Sequence, residues 1–469
     1  MVHDSGTTLS DDAALKRSAL IVAVVSSFLT PFMISSVNIA LPAMARDLDM
    51  DAVTTSWVAT AYLLTAAVCL VPAGRWADIH GRKRVFLQGI VLFTAAALIS
   101  GLARSSAMMI AARCLQGAGS AMIFGTSIAI LSSVYPPHER GRVLGIAVAA
   151  VYMGLSLGPF AGGVITHHVG WRWLFFAAVP AGVFVIALAV IMLRGEWAGA
   201  AGESFDIPGT LLYAVGLTAL LGGMTTLPSR VGMASSTVGM VTLAWFFAWA
   251  ARRPSPVLDI ALFRHNRVFA FSCMAALIHY GATFAVTFLL SLYLQHIRHL
   301  TAQAAGMVLV AQPIMMALFS PMAGKLSDRV EPRYIASFGM AITAMGLVLL
   351  AGVDAATPTW GVLGTLMLMG FGFALFSSPN MNAIMGAVAP RFYGTASGMV
   401  GTMRLLGQVL SMAVATLLFS LIIGPRALTP EVYPELLRSI TIALWLFAGL
   451  CTLGIGFSMF RGRLRELAP

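Results

Sequence analysis

Apolar runs of about 20 residues recur along this chain from Leu15 almost to its C-terminus. At 1.5 Å of rise per residue, each run is long enough to cross a hydrocarbon layer about 30 Å thick. Breaking the runs at charged residues and at Pro or Gly clusters gives fourteen segments, the first over residues 17–42 and the last over 437–460. Composition excludes a soluble alternative: only 10% of residues are charged and 59% are hydrophobic, whereas a soluble domain carries roughly 25% charge. The chain reads as an all-α polytopic membrane protein.

Charge placement sets the expected topology. The 29 Lys and Arg residues are not gathered in a patch of the kind nucleic acid requires. The termini and the loops after even-numbered segments hold 20 of them, the loops on the other side hold 7, and Arg113 and Arg404 lie inside segments. By the positive-inside rule both termini are expected in the cytoplasm, and an odd number of segments would scramble this partition. The first sixteen residues are polar and no small-residue cleavage site follows the first segment, so that segment is expected to be retained. Cys69, Cys114, Cys273 and Cys451 all fall within apolar runs, which argues against a disulfide framework.

A weak internal repeat organises the chain. Gly74-Arg-Trp-Ala-Asp78 follows segment 2, and Gly324-Lys-Leu-Ser-Asp328 follows segment 10. The spacing exceeds one six-segment half by about two segments, so segments 7 and 8 read as an insertion. The expected division is an N-terminal six-helix bundle over 1–193, an inserted helix pair with linkers over 194–266, and a C-terminal six-helix bundle over 267–469. Parallel repeats of this kind are a transporter signature, with the substrate site near the midplane between the halves.

Three sequence features carry specific chemistry. The loop from Gly74 to Arg84, with Asp78, Gly81 and Arg82, is tight and basic. Asp78 stands at a membrane boundary where it can accept bonds from a helix N-terminus or pair with an arginine, making a clasp between bundles; the alternative is a short loop set by topology alone. On segment 5, Gly154, Gly158 and Gly162 recur every four residues and form a smooth stripe, with Pro159 placed to bend the helix. Plain helix packing is the alternative reading there. Arg113 on segment 4 must face a bundle interior or a water-filled cavity, because an unpaired guanidinium in lipid costs several kcal/mol. Gln116 and Ser120 share its helical face.

These motifs together resemble the major facilitator superfamily, specifically its fourteen-helix drug/proton antiporter branch. The Gly74–Arg84 loop looks like the superfamily's signature loop. Ser36-Val37-Asn38-Ile39-Ala40-Leu41-Pro42 resembles the first-helix motif of the antiporter branches, and Arg113-Cys114-Leu115-Gln116-Gly117-Ala118-Gly119 resembles the motif that places a buried arginine on the fourth helix. Gly145, Gly154, Gly158-Pro159 and Gly162-Gly163 match every spacing of the antiporter motif. Gly170-Trp-Arg-Trp-Leu-Phe-Phe and Phe205-Asp-Ile-Pro-Gly209 are similar to segments of the fourteen-helix branch. The resemblance implies the major facilitator fold with helices in a 6 + 2 + 6 arrangement, alternating access, and proton-driven export of hydrophobic or amphipathic small molecules. It also implies that the segment 5 glycines pack between the halves and limit leak.

Departures from the family pattern refine this expectation. Relatives that export cations often carry an acid five residues before the first-segment asparagine, and here that residue is Met33. No Asp or Glu lies deep in a segment: Asp78, Asp259 and Asp328 are at edges and Asp354 ends segment 11. A cationic drug would meet Arg113 without a counter-charge, so neutral or anionic substrates are expected. The family's usual proton carrier is absent, which leaves His279, beside Tyr280 on segment 9, as the titratable candidate; a hydrogen-bonded histidine without a coupling role is the alternative. Gln312 on segment 10, Arg404 with Gln408 on segment 13, and Asn380 near Pro379 on segment 12 complete the candidate substrate- and proton-binding set of Asn38, Arg113, Gln116, His279, Tyr280, Gln312, Asn380 and Arg404. Ordinary interhelical bonding is the alternative for the second-half groups. The expected switching set is Gly74, Asp78, Gly81, Arg82, Gly324, Asp328, Gly154, Gly158, Pro159 and Gly162.

No metal, cofactor or nucleic acid is expected, since HExxH and GxxxxGK[ST] are both missing. His167-His168 and His296-Ile-Arg-His299 lack Cys or acidic neighbours in sequence. The expected partners are an amphipathic or lipid-like substrate, protons and membrane lipids, for a monomer in the cell membrane. The alternatives are a flippase or exporter of lipids or lipid precursors and, from another class, a membrane-embedded enzyme, which would need a catalytic pair the sequence does not show.

Overall fold

The computed structural model describes residues 5–424 and 430–464. The helices are α1 (Ser5–Asp47), α2 (Ala52–His80), α3 (Arg82–Gly101), α4 (Ser106–Val134), α5 (Pro137–His168), α6 (Arg172–Met192), α7 (Ile207–Thr225) and α8 (Arg230–Ala250). They continue with the short α9 (Ala261–His265), then α10 (Arg267–Leu292), α11 (Ala302–Leu309), α12 (Ala311–Arg329), α13 (Pro332–Ala351), α14 (Thr359–Gly386), α15 (Tyr393–Ile422) and α16 (Tyr433–Phe460). Among the described residues, 14 helices are long and apolar enough to cross a membrane, with α11 and α12 together making one span. The chain is therefore an all-helical, multi-pass membrane protein, and no strand occurs among the described residues. Helices are the required solution, because lipid offers backbone N–H and C=O groups no partner.

Many helix starts are written locally. Asp51 accepts the Thr54 N–H at 2.7 Å to open α2, Ser229 accepts from Gly232 at 3.0 Å to open α8, and Asn266 accepts from Phe269 at 2.9 Å to open α10. Each side chain satisfies a donor that the first helical turn leaves over, worth about 1 kcal/mol. The starts of α3 and α15 are completed by distant residues instead, as the next subsection describes.

The chain divides into two compact units. The first comprises the chain through Ile207, Pro254–Leu258 and Val388–Gly401; the second comprises Pro208–Arg253, Asp259–Ala387 and Thr402 onward. In the first unit α1 packs on α5, α3 and α2 pack on α4, and α6 lies against α3. In the second, α14 packs on α12 and α13, and α16 packs on α10 and α13.

Small residues set how closely these helices approach. A Cβ on Gly162 would stand 2.8 Å from the Ser36 Cα, and one on Gly158 would stand 2.9 Å from the Phe32 carbonyl oxygen. The Ser36 hydroxyl donates to the Gly158 carbonyl at 3.0 Å. At Gly154, Gly158 and Gly162 the nearest neighbours all belong to α1. At these residues the contacts are packing inside the first unit, where the smooth stripe lets the α1 backbone approach closely. The second unit repeats the device where α7 and α8 cross through Gly216, Gly223, Gly232 and Gly239.

Candidate functional site

Two polar constellations stand out in the first unit. The first is centred on Arg113, which is 1% exposed on α4. Its Nε donates to the Val58 carbonyl at 3.1 Å, Nη1 donates to Gln116 Oε1, and the guanidinium sits 4.3 Å from the centroid of the Tyr62 ring. A planar fork of donors and a weakly hydrated charge suit this environment, where carbonyl oxygens and an aromatic face replace water. Gln116 is fully buried; its Oε1 accepts from Arg113, and its Nε2 has no partner among the described residues. The site therefore offers donors and positive charge. Asn38 is exposed on α1.

The second constellation is built on Asp78, wholly buried at the end of α2. Oδ1 accepts the Gly394 N–H at 2.8 Å, while Oδ2 accepts the Thr395 N–H at 2.8 Å and its hydroxyl at 3.0 Å. Arg82 donates Nη2 to Oδ1 at 2.7 Å and reaches the Pro390 carbonyl and, at 2.6 Å, the Ser133 hydroxyl. One carboxylate thus caps the N-terminus of α15 and neutralises Arg82 at once. Gly74 permits this approach, since a Cβ there would run into the Gly394 carbonyl oxygen. Arg140, on α5, donates to the Tyr393 hydroxyl at 2.9 Å, and Arg82 and Arg140 lie 5.2 and 5.3 Å from the Tyr393 ring centroid.

The linker between α6 and α7 closes over the same loop. Glu203 pairs with Arg75, which is 3% exposed. Burial opposes ionisation of Glu203, but the hydrogen bond and charge of Arg75, with Ser255 and Arg391, outweigh it and hold the carboxyl below the ordinary glutamate range. Glu196 accepts the N–H groups of Lys83 at 2.8 Å and Arg84 at 3.0 Å.

In the second unit the remaining sequence candidates are dispersed. His279 is fully buried on α10, its ring 4.1 Å from that of Phe376 and 4.7 Å from that of Phe373. Its Nδ1 is 3.9 Å from the Cys451 sulfur, and Nε2 has no partner among the described residues. Tyr280 is half-buried and its hydroxyl lies 3.5 Å from that of Ser377. Helix α14 runs unbroken through Pro379. Asn380 is occupied on both sides, donating to the Ser272 carbonyl at 3.1 Å and accepting from Arg461 Nη1 at 2.8 Å. Gln312 is buried on α12, Gly324 is buried near its end, and Asp328 and Arg404 are half-buried. Asn380 is joined to Arg461 and Ser272; His279 is enclosed by aromatic rings and Cys451. Among the described residues no group of three or more His, Cys, Asp or Glu gathers where it could hold a metal ion.

Sequence reasoning missed Tyr62, Arg140, Glu196, Glu203, Tyr393 and Arg461. For Glu196 and Glu203 a signal existed: with Asp206 they make three acids in one linker of an acid-poor chain that carries a basic loop elsewhere. For Tyr62, Arg140, Tyr393 and Arg461 nothing local marked them.

The fourteen-span helical fold is that of a transporter of the major facilitator class. The Major Facilitator Superfamily model matches residues 23–412 and 272–466, and the chain belongs to that superfamily. It is therefore a transporter and not an enzyme. It is 29% identical over 452 residues to the riboflavin transporter RibZ of Clostridioides difficile (strain 630), covering 95% of this chain and 97% of that one. It is 33% identical over 421 residues to the cephamycin export protein CmcT of Amycolatopsis lactamdurans, covering 87% of this chain and 86% of that one. Among solved structures, the proton:xylose symporter XylE superposes with a TM-score of 0.70 at 12% identity, covering 97% of this chain and 99% of that chain, a likeness of fold.

Proposed function

We propose that this protein is an exporter of neutral or anionic amphipathic small molecules, working by alternating access and driven by protons. The observation that carries the substrate class is the Arg113 site: a buried guanidinium bound to Val58, Gln116 and the Tyr62 ring, beside an amide donor without a partner among the described residues. Donors in a low-dielectric setting favour a ligand group that accepts hydrogen bonds or bears negative charge, and they repel a permanent cation. The relatives that move riboflavin and export cephamycin agree with a small organic cargo.

In this reading the halves are two six-helix bundles with α7 and α8 inserted between them in the chain, and the Asp78–Arg82 clasp switches between states without touching substrate. The protein works as a monomer in the cell membrane with both termini cytoplasmic, consistent with 20 of 29 basic residues on one side. His279 is the proposed proton carrier. Its ring is enclosed here, so coupling requires a second state that opens it to water. The test is transport of a substrate panel in proteoliposomes with and without a pH gradient. Uptake of acidic and neutral amphiphiles that rises with the gradient supports the reading, and exclusive uptake of quaternary cations or of phospholipid overturns it.

A further inference from the structure

The linker that joins α6 to α7 is tied to the α2–α3 loop at Leu193, Glu196, Trp197, Ala200, Glu203 and Phe205. The Trp197 carbonyl accepts the Arg82 N–H at 3.0 Å, and the Ala200 N–H donates to the Asp78 carbonyl at 2.9 Å. Lys83 Nζ reaches the Leu193 carbonyl, and the Phe205 ring meets Trp76 edge-on at 5.1 Å between centroids. With the Glu196 bonds and the Glu203–Arg75 pair, these ties run from one end of the linker to the other against residues 75–84.

The need for these ties is local. Helix α3 starts at Arg82 behind Gly81, whose φ is +109° and which supplies no side-chain cap. Its first amides would be left over without the Trp197 carbonyl and the Glu196 carboxylate, and an anion at this end suits the helix dipole. Gly81 must stay a glycine, since a Cβ there would stand 2.7 Å from Glu196 Cγ. Arg75 is buried, and its Nε and Nη1 have no partner among the described residues, so Glu203 supplies the balancing charge. Asp78 is held at both ends: its backbone carbonyl by the linker, its carboxylate by Gly394 and Thr395.

We propose that Glu196 and Glu203 are positioning residues for the Asp78–Arg82 clasp, the linker acting as a strap that fixes the loop in the geometry in which Asp78 caps α15. Their effect on turnover rests on the proposed transport function; their effect on the clasp does not.

The experiment compares the full-length protein with Glu196→Gln/Glu203→Gln by hydrogen exchange without substrate, reading peptides across 82–86 and 392–396. Both peptides are expected to exchange faster, by about tenfold, although residues 392–396 do not touch either glutamate. Faster exchange confined to 82–86 would reduce the strap to a local cap and overturn the proposal, as would no change in either peptide. If the double variant does not fold, Arg75→Glu/Glu203→Arg keeps an ion pair and is expected to retain wild-type exchange, while Arg75→Glu alone is expected to accelerate it at 392–396. In proteoliposomes the glutamate variants are expected to lower turnover with substrate affinity unchanged. A wild type that moves no panel member, with exchange still responding to the strap variants, would sink the transport reading and leave the strap standing.

Discussion

Asp78 Oδ2 accepts both the backbone N–H and the hydroxyl of Thr395, at 2.8 and 3.0 Å, from 317 residues away in the chain. One buried carboxylate thereby does for α15 what Asp51 does for α2 from the neighbouring turn.

Asp78→Asn removes the charge that balances Arg82 and leaves the amide only one acceptor oxygen for Gly394, Thr395 and Arg82. Turnover is expected to fall at least tenfold, while the equilibrium Kd for substrate stays within tenfold, or about 1.4 kcal/mol. Binding by scintillation proximity beside a transport time course separates the two, and a larger loss of affinity would put Asp78 in the substrate site.

Arg113→Ala strips a buried donor from Val58 and Gln116 and removes the positive charge of the site. Transport is expected to drop at least tenfold in protein that still elutes as a single folded species. Arg113→Lys keeps the charge but not the fork, and is expected to recover only part of the rate. Wild-type transport by Arg113→Ala would remove this residue from the mechanism.

Gly162 and Gly163 offer an internal control on packing. A methyl at Gly162 would press on Ser36, whereas one at Gly163 would meet only Ile39 Cγ2, at an ordinary 3.8 Å. Gly162→Ala is expected to destabilise by about 1–3 kcal/mol, and Gly163→Ala to be neutral or slightly stabilising through helix propensity. Thermal unfolding in detergent reads both; equal effects would contradict the assigned contact with α1.

The Glu203 pair predicts an acid limb. Its carboxyl is held below the ordinary value of 4.5, after burial is offset by Arg75, Ser255 and Arg391. A depressed folded-state pKa contributes stability that is fully present above the unfolded value and disappears as pH falls through the folded one. The unfolding temperature is thus expected to be insensitive to this group between pH 5 and 8 and to decline below its ordinary range, with Glu203→Gln showing a shallower decline. An identical acid limb in the variant would mean the pair contributes nothing.

Cells making the protein are expected to gain no resistance to ethidium or quaternary ammonium dyes, because Arg113 confronts a permanent cation with like charge and Met33 stands where cation exporters carry an acid. His279→Gln is expected to flatten the pH dependence of turnover, measured across pH 5–8. Robust ethidium efflux would refute the first half, and an unaltered pH profile the second.

The spans were legible because each answers to a local rule: an apolar run in lipid must bond to itself, and a helix does that with residues four apart. The burial of Arg113 likewise followed from the cost of a guanidinium in hydrocarbon. Periodicity identified the Gly154–Gly158–Gly162 stripe but could not name its partner, which is α1. The acids around Glu196 signalled a partner for the basic loop without saying that its carboxylate completes α3, and nothing around Asn380 indicates that its side chain joins Arg461 to Ser272. By itself the sequence determined the membrane class, the fourteen spans and the presence of a buried cation. Tertiary structure alone decided which groups satisfy one another, because a hydrogen bond between Asp78 and Thr395 depends on how helices pack in space and leaves no periodic trace in either segment.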